Sequence, residues 1–441
     1  MPVSNPGSID ISGNPAVITR SEHPVSRANI SPNALKVLYR LRDAGYQGHL
    51  VGGGVRDLLL GREPKDFDIA TDAHPEDVRR LFRNCRLIGR RFRLAHVLFG
   101  REVIEVATFR ALQQSPDSEA RHVDEDGRIV RDNVYGTLEE DAFRRDFTVN
   151  ALYYNITDFS VIDYAGGVED LNAGVLRLIG DPETRFREDP VRMLRAARFA
   201  TKLGFRMHPD TERPIAELAG LLADIPPARL FDEMLKLFMG GCALANFEAL
   251  RHYQLFGQLF PLTEQALTHE EDHFPLTLIS HGMENTDQRI AADKPVTPAF
   301  LFAVFLWQPV RERAAQLEAE GQHPAQAMQH AGSQIIAEQA RVMSIPKRFS
   351  LPMREIWMLQ LRLARTGGRR CLRALAHPRF RAAYDFLLLR GQAGEVPEDL
   401  GDWWTEFQEQ NPQPRDQETT RTRPKTRRRR RPRRGTTGGE T

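Results

Sequence analysis

Asp66 and Asp68 flank Phe67 in the segment Lys65-Asp66-Phe67-Asp68-Ile69-Ala70-Thr71. A short apolar run bounded by turn residues is expected to be a strand, with a side-chain period of two. Both carboxylates are then expected on one face, with Phe67 and Ile69 on the other. Two like charges held side by side repel unless a cation sits between them. A hard divalent ion such as Mg2+, bound by one or two carboxylates plus substrate phosphates, is the usual solution. Glu105 interrupts the apolar run Val103-Ile104-Glu105-Val106-Ala107. A lone carboxylate there needs a cation or hydrogen-bond donors. It joins the pair as a third carboxylate if its strand lies beside theirs; the other reading is a salt bridge to an arginine.

Upstream lies Leu50-Val51-Gly52-Gly53-Gly54-Val55-Arg56-Asp57. A glycine run between a strand and a helix lets backbone N–H groups approach phosphates. It is not a dinucleotide fingerprint, because Asp57 stands where the third glycine belongs, and no Gly-Lys-Ser/Thr makes it a Walker loop. Downstream, Arg144-Arg145-Asp146-Phe147-Thr148-Val149-Asn150 offers planar guanidinium groups suited to a triphosphate. Asp146 is placed either to orient an arginine or to meet a ribose hydroxyl.

A third segment runs from Arg187 to Phe199. Asp189 suits a helix N-cap and Pro190 the first turn. Asp189, Arg192 and Arg195 are spaced by three and are expected on one face. Asp accepts hydrogen bonds and Arg donates them. Such a pair reads an amino group beside a ring-nitrogen acceptor. That pattern fits adenine or cytosine and disfavours guanine and uracil.

Several elements must position these groups. Ser31-Pro32 marks a helix start, with Leu35, Leu38 and Leu41 as its apolar face. Gly48–Val51 is expected to be a strand, Val55–Leu60 a short helix, and Pro75–Phe82 a helix opened by proline. Residues 93–99 and 102–109 flank Gly100-Arg101 as a hairpin. Residues 112–133 are polar and acidic and read as a loop. From Asp189 onward the pattern is helical, up to Trp403-Trp404-Thr405-Glu406-Phe407.

The 441 residues allow two to four domains; 41% are hydrophobic and 27% charged, as in an ordinary globular chain. No apolar run approaches the roughly 20 residues of a membrane span, and no signal peptide is indicated. Cys85, Cys242 and Cys371 form no metal-site or disulfide spacing, which suits a reducing, cytoplasmic setting. The net charge of +2 is unevenly distributed: Arg421 to Arg434 carries ten Lys or Arg and no acid. Residues 1–28 and 411–441 lack the apolar content to build a core and read as disordered. The basic tail, with Arg427, Arg428, Arg429, Arg430 and Arg431 at its centre, suits RNA phosphates or a partner's acidic surface.

In this order the segments resemble the class II nucleotidyltransferases, the tRNA CCA-adding enzymes and bacterial poly(A) polymerases. The motifs are Gly52-Gly53-Gly54-Val55-Arg56-Asp57 with Asp66-Phe67-Asp68, then Arg144 to Asn150. Asp163-Tyr164 with Gly166-Gly167 and Asp170-Leu171 follows, and then Glu188-Asp189-x-x-Arg192 with Arg195-x-x-Arg198-Phe199. Residues 87–97, Ile345-Pro346-Lys347-Arg348, the segment His377 to Asp385 and the basic tail resemble the gammaproteobacterial poly(A) polymerases.

The resemblance implies an α+β nucleotidyltransferase head, a small mixed β-sheet with helices, followed by all-α neck and body domains. The expected limits are a head over 29–182, a neck with the base-reading helix over 183–255 and an RNA-binding body over 256–410. It implies template-independent addition of AMP from ATP to RNA 3′ ends, with release of pyrophosphate. By resemblance, Asp66 and Asp68 bind two Mg2+ ions, Asp146 is essential, and Gly53, Gly54, Arg56, Arg145, Asp189, Arg192 and Arg195 contact the nucleotide. RNA-decay or RNA-chaperone proteins are implied partners, and no membrane is. Two other readings are a tRNA CCA-adding enzyme and, more distantly, a non-catalytic RNA-binding scaffold.

Overall fold

A computed structural model describes residues 14–89, 93–112, 121–123, 129–132, 134–268 and 274–412. The basic tail with Arg427 to Arg431 lies outside the described residues, as do Arg90 to Phe92.

The chain divides into two compact units. The first runs to residue 269 and takes in Gly282–Pro298 and Gln334–Pro346; the second holds 270–281, Ala299–Ser333 and the chain from Lys347 onward.

An eight-stranded mixed sheet organises the first unit. Its strands are β1 (Ala16–Ile18), β2 (Gly48–Val51), β3 (Asp68–Thr71), β4 (Cys85–Ile88), β5 (Leu94–Phe99), β6 (Glu102–Thr108), β9 (Leu152–Asn155) and β10 (Val161–Asp163). The intervening β7 (Arg121–Val123) and β8 (Ile129–Asp132) form a separate antiparallel ribbon. The sheet order is β1-β10-β9-β2-β3-β6-β5-β4. Only β3 and β6 pair in parallel; the other neighbours are antiparallel. Leu50, Ile69, Ala70, Ile104 and Val106 are buried along the central strands. The sheet therefore forms because apolar side chains on adjacent strands leave water together.

Three expectations are corrected. The segment 1–28 is not disordered throughout: β1 pairs with β10 from Ala16↔Asp163 to Ile18↔Val161. Three apolar residues give no period to read, and β1 forms because the β10 edge offers unpaired backbone groups. Residues 112–133 are not a bare loop, since β7 and β8 lie within them; Val123, Ile129 and Val130 supply the β-branched content. Strand β3 begins at Asp68, so Asp66 stands before it rather than within it.

Helices cover and extend the sheet. They are α1 (Pro32–Asp43), α2 (Gly53–Leu59), α3 (Pro75–Leu81), α4 (Leu138–Arg144), α5 (Gly167–Ala173), α6 (Pro182–Glu188) and α7 (Val191–Leu203). In α1 the Ser31 hydroxyl accepts from the Asn33 N–H at 3.2 Å, and Ala34, Val37, Leu38 and Leu41 are buried. Beyond α7 the described chain is almost entirely helical. In the second unit Trp357 and Trp404 are buried, and their indole N–H groups donate to Ala303 O and Leu363 O.

Candidate active site

At the end of β2 the chain turns through Gly52, whose φ of +71° lies in the left-handed region that favours glycine. Helix α2 starts at Gly53, earlier than Val55, so the glycine run is itself the helix start. A Cβ at Gly54 would sit 3.4 Å from the Asp66 carbonyl and 3.7 Å from the Phe67 ring, so the segment carrying the two aspartates packs directly against the turn.

Strand β3 places Asp68 at its first position, in register with Val51 on one side and Glu105 on the other. The protein packed around Asp68 pushes its carboxyl up to about 6; Glu105 and Asp66 add to the push, while Arg145 and His96 oppose it. The residue keeps an exposed surface, so a ligand can reach it and solvent tempers the shift. Glu105 meets His96 Nε2 at 3.2 Å, so its nearest partner is a histidine and not an arginine. Among the described residues no three His, Cys, Asp or Glu side chains enclose a metal ion. A carboxylate repelled by two neighbours suits a divalent ion whose shell is completed by substrate phosphates and water. The residues present fit Mg2+ on those terms, and not as a closed protein cage.

Next to the glycine turn, Arg145 is fixed from two sides. Its Nε donates to the Tyr153 hydroxyl at 2.9 Å and its Nη2 to Asp141 at 2.9 Å; the Tyr153 hydroxyl also donates to Asp141, at 2.7 Å. Burial alone would lower the arginine, but Tyr153 and Asp141 hold it above its ordinary value. Its Nη1 lies near Gly52, 3.5 Å from where a Cβ on that glycine would sit. A rigid, permanently charged guanidinium thus stands beside the turn, as phosphate recognition requires.

Asp146 accepts from Asn150 Nδ2 at 3.1 Å, from the Phe147 N–H at 2.8 Å and from Arg195 Nε at 2.8 Å, with a second bond from Arg195 Nη2. Burial would raise its carboxyl, yet the Arg195 charge and these hydrogen bonds hold it below the usual carboxylate range. Of the two roles open to Asp146, the geometry supplies the first: it orients an arginine.

Helix α6 delivers the base-reading segment. Asp189 closes α6, and Pro190 takes the cap position of α7, one residue later than expected. Asp189 Oδ2 accepts from Arg229 at 2.7 Å, while its Oδ1 is buried and has no hydrogen-bond partner. Arg192 Nη1 donates to the Arg185 carbonyl at 2.6 Å and to Glu188 at 3.0 Å. Asp189 and Arg192 are therefore not a salt bridge with each other. Each is held by other groups, and Asp189 keeps an acceptor that lacks a donor.

The comparisons with known proteins agree with one another. The Poly A polymerase head domain family matches residues 48–177. The family described as Probable RNA and SrmB- binding site of polymerase A matches 204–267, and Polymerase A arginine-rich C-terminus matches 320–435. Poly(A) polymerase I of Escherichia coli O6:H1 is 53% identical over 399 residues, covering 89% of this chain and 85% of that protein. Poly(A) polymerase I of Haemophilus influenzae is 48% identical over 409 residues, covering 91% and 90%. The chain belongs to the poly(A) polymerase I family.

As a member of that family it is a polynucleotide adenylyltransferase. The CCA-adding enzyme of Bacillus subtilis is more distant: 40% identical over 226 residues, covering 51% of this chain and 55% of that one. A tRNA nucleotidyltransferase solved with a primer tRNA and an incoming ATP analog shares the fold, with a TM-score of 0.57 at 22% identity over 85% of this chain and 98% of that one. The expected mixed-sheet head and helical remainder are found.

Two arginines of the expected nucleotide-contacting set are engaged by groups of the protein itself. Arg56 is 2% exposed, and its guanidinium is engaged by Asp57 and by Asn150 Oδ1 at 2.7 Å. Its guanidinium is held inside the protein by these two acceptors. Arg195 is likewise engaged by Asp146. The reason is shared: each side chain found a buried acceptor, and such pairs are not given up to solvent-facing ligands without cost.

Sequence reasoning missed Arg185, Asp141, Tyr153 and Arg229. Arg185 Nη2 donates to the Arg144 and Arg145 carbonyls at 2.8 Å each, tying α6 to the phosphate side of the site. The spacing of Asp141 four residues before Arg145 was a readable signal. Tyr153 and Arg229 come from distant strands and helices and carried none.

Proposed function

We propose that this chain adds AMP from ATP to RNA 3′ ends without a template, releasing pyrophosphate, and that Asp66 and Asp68 hold the Mg2+ ions of that reaction. The observation that carries the assignment is Asp68 at the tip of β3, its carboxyl raised to about 6 beside Glu105 and Asp66. When bound, the ions supply activation of the RNA 3′-hydroxyl and charge neutralisation at the leaving pyrophosphate.

The chain's own side chains do the rest. Gly53 and Gly54 bring the backbone close to the triphosphate, and Arg145 stands beside the turn as a fixed cation. Asp146 holds Arg195, and through Asn150 and Arg56 it stiffens the floor of the site. The orphaned Asp189 Oδ1 accepts the adenine amino proton, and Arg192 donates to N1 of the ring. Positioning and charge stabilisation of this kind account for most phosphoryl-transfer catalysis.

The tail around Arg427 to Arg431 adds salt-dependent, sequence-tolerant RNA affinity. Tailing of this kind exposes RNA ends to decay machinery in the cytoplasm, and RNA-decay or RNA-chaperone proteins are the proposed partners.

The test is one reaction. An unstructured RNA is incubated with Mg2+ and labelled ATP or CTP. Long tails from ATP alone support the assignment. Use of both nucleotides with arrest after three additions would replace it with CCA addition.

A further inference from the structure

A polar cavity of about 300 Å3 lies in the first unit, lined in part by Asp57 of α2 and by residues of α7 and the helices that follow it. Its basic wall is Arg62, Lys65, Arg198, Lys202 and Lys236. Two acids also line it, Asp57 and Glu63. Asp57 is already paired with Arg56 at 2.7 Å, and Lys236 with Glu233 at 2.7 Å. Arg198 Nε is buried with no hydrogen-bond partner among the described residues. Burial, the largest cause, lowers both Lys202 and Arg198 from their ordinary values; neighbouring cations add to this, while Asp57 opposes it at Lys202 and Glu233 and Asp146 oppose it at Arg198. An anion in the cavity would relieve that repulsion.

Two further features narrow the anion. No aromatic side chain lines the cavity, so it offers no surface for stacking a base. Asn246, 2% exposed, also lines it. Its amide nitrogen donates to the Leu237 carbonyl at 2.6 Å, which fixes Oδ1 as an acceptor, and that oxygen has no donor among the described residues. A ribose-phosphate unit of a nucleic-acid strand brings phosphate and a hydroxyl proton together with no base to be read. The ribose 2′-hydroxyl is a donor that DNA lacks.

The cavity is also joined to the catalytic residues. Lys65 is the chain neighbour of Asp66, and Arg198 stands one residue-triplet along α7 from Arg195, which holds Asp146. We propose that this cavity binds a ribose-phosphate unit of the RNA strand upstream of its 3′ end. The inference rests on the RNA-tailing reading and adds a place where the primer strand is gripped by its backbone. Single-strand grip of this kind tolerates any sequence, as a tailing enzyme needs.

The test uses the full chain with a labelled oligoadenylate RNA, in the absence of ATP, across a series of KCl concentrations. Lys202→Gln is expected to weaken RNA binding and to reduce the slope of log affinity against log salt by about 0.7, the value for one single-strand phosphate contact. The KM for ATP at saturating RNA is expected to stay unchanged. Asn246→Ala is expected to narrow the preference for RNA over the matching DNA oligomer, with a thermal melt confirming that the variant folds. An unchanged RNA affinity and salt slope in Lys202→Gln would overturn the proposal. So would a raised KM for ATP with RNA binding intact, which would assign the cavity to a nucleotide polyphosphate instead. An unaltered RNA-to-DNA preference in folded Asn246→Ala would remove the ribose contact. Binding is read without catalysis, so a wild-type chain that binds RNA but incorporates no AMP would refute the tailing reading and leave this one standing.

Discussion

Asp68 and Glu105 stand opposite each other across the one parallel strand pair of the sheet, β3 with β6. Parallel pairing brings the start of β3 beside the middle of β6, so two carboxylates far apart in sequence share one rung. Burial first, and then repulsion from Glu105, pushes the Asp68 carboxyl up to about 6.

The first prediction follows from that pair. Ionised Asp68 is the form that binds Mg2+, so Mg2+ affinity is expected to fall as pH drops through about 6. Glu105→Gln removes one repelling charge and is expected to move that transition to lower pH, read by Mg2+ titration. The stability effect has the opposite sense. A carboxyl raised in the folded state contributes stability that is present below its unfolded value and lost as pH rises through about 6. Without Mg2+, Asp68→Asn is therefore expected to melt higher than wild type at pH 7.5, with the difference vanishing near about pH 4. Asp68→Asn is also expected to abolish AMP incorporation. Near-normal tailing by that variant would refute the metal assignment.

The second concerns Asp146 and Arg195. Arg195→Ala strands a carboxylate that is 12% exposed. The expected cost is about 3 kcal/mol, the low end for breaking a buried pair, because Arg195 keeps 31% exposure. Denaturant unfolding measures it. Asp146 is depressed in the folded state, so its contribution is present above its unfolded value and lost as pH falls through its folded one. The stability gap between wild type and Asp146→Asn is expected to close in acid; a gap independent of pH would mean that the charge is not what matters.

The third concerns the orphaned acceptor of Asp189. Asp189→Ala removes the partner of the adenine amino group and is expected to cut kcat/KM for ATP by roughly 5- to 150-fold, the worth of about 1–3 kcal/mol for one such bond. Guanine presents an acceptor at that place, so the ATP-over-GTP ratio is expected to shrink as well. Competition assays with mixed nucleotides read it directly. A preserved ratio would mean that Asp189 does not face the base.

Much of the site was legible because its chemistry is local in sequence. Asp66 and Asp68 are two residues apart, Arg145 and Asp146 are neighbours, and the glycine run announces a turn that only glycine enters easily. Glu105 was legible as a charge that an apolar strand would not keep for nothing. Less legible were contacts that depend on a distant partner. The hydrogen bonds of Arg56 to Asn150 and of Arg195 to Asp146 could not be read from spacing.

The sequence by itself determined which residues can do chemistry, their order, and the family whose motifs they match, because residue type and short spacing are written in one dimension. Only the tertiary structure decided who meets whom. Register placed Glu105 and not another acid beside Asp68. Tertiary contacts gave Arg56 its hydrogen bond to Asn150 and Arg195 its pairing with Asp146, and packing left Asp189 Oδ1 with no donor among the described residues. Those outcomes depend on contacts between segments tens of residues apart, where the gain from pairing a buried charge outweighs any local preference.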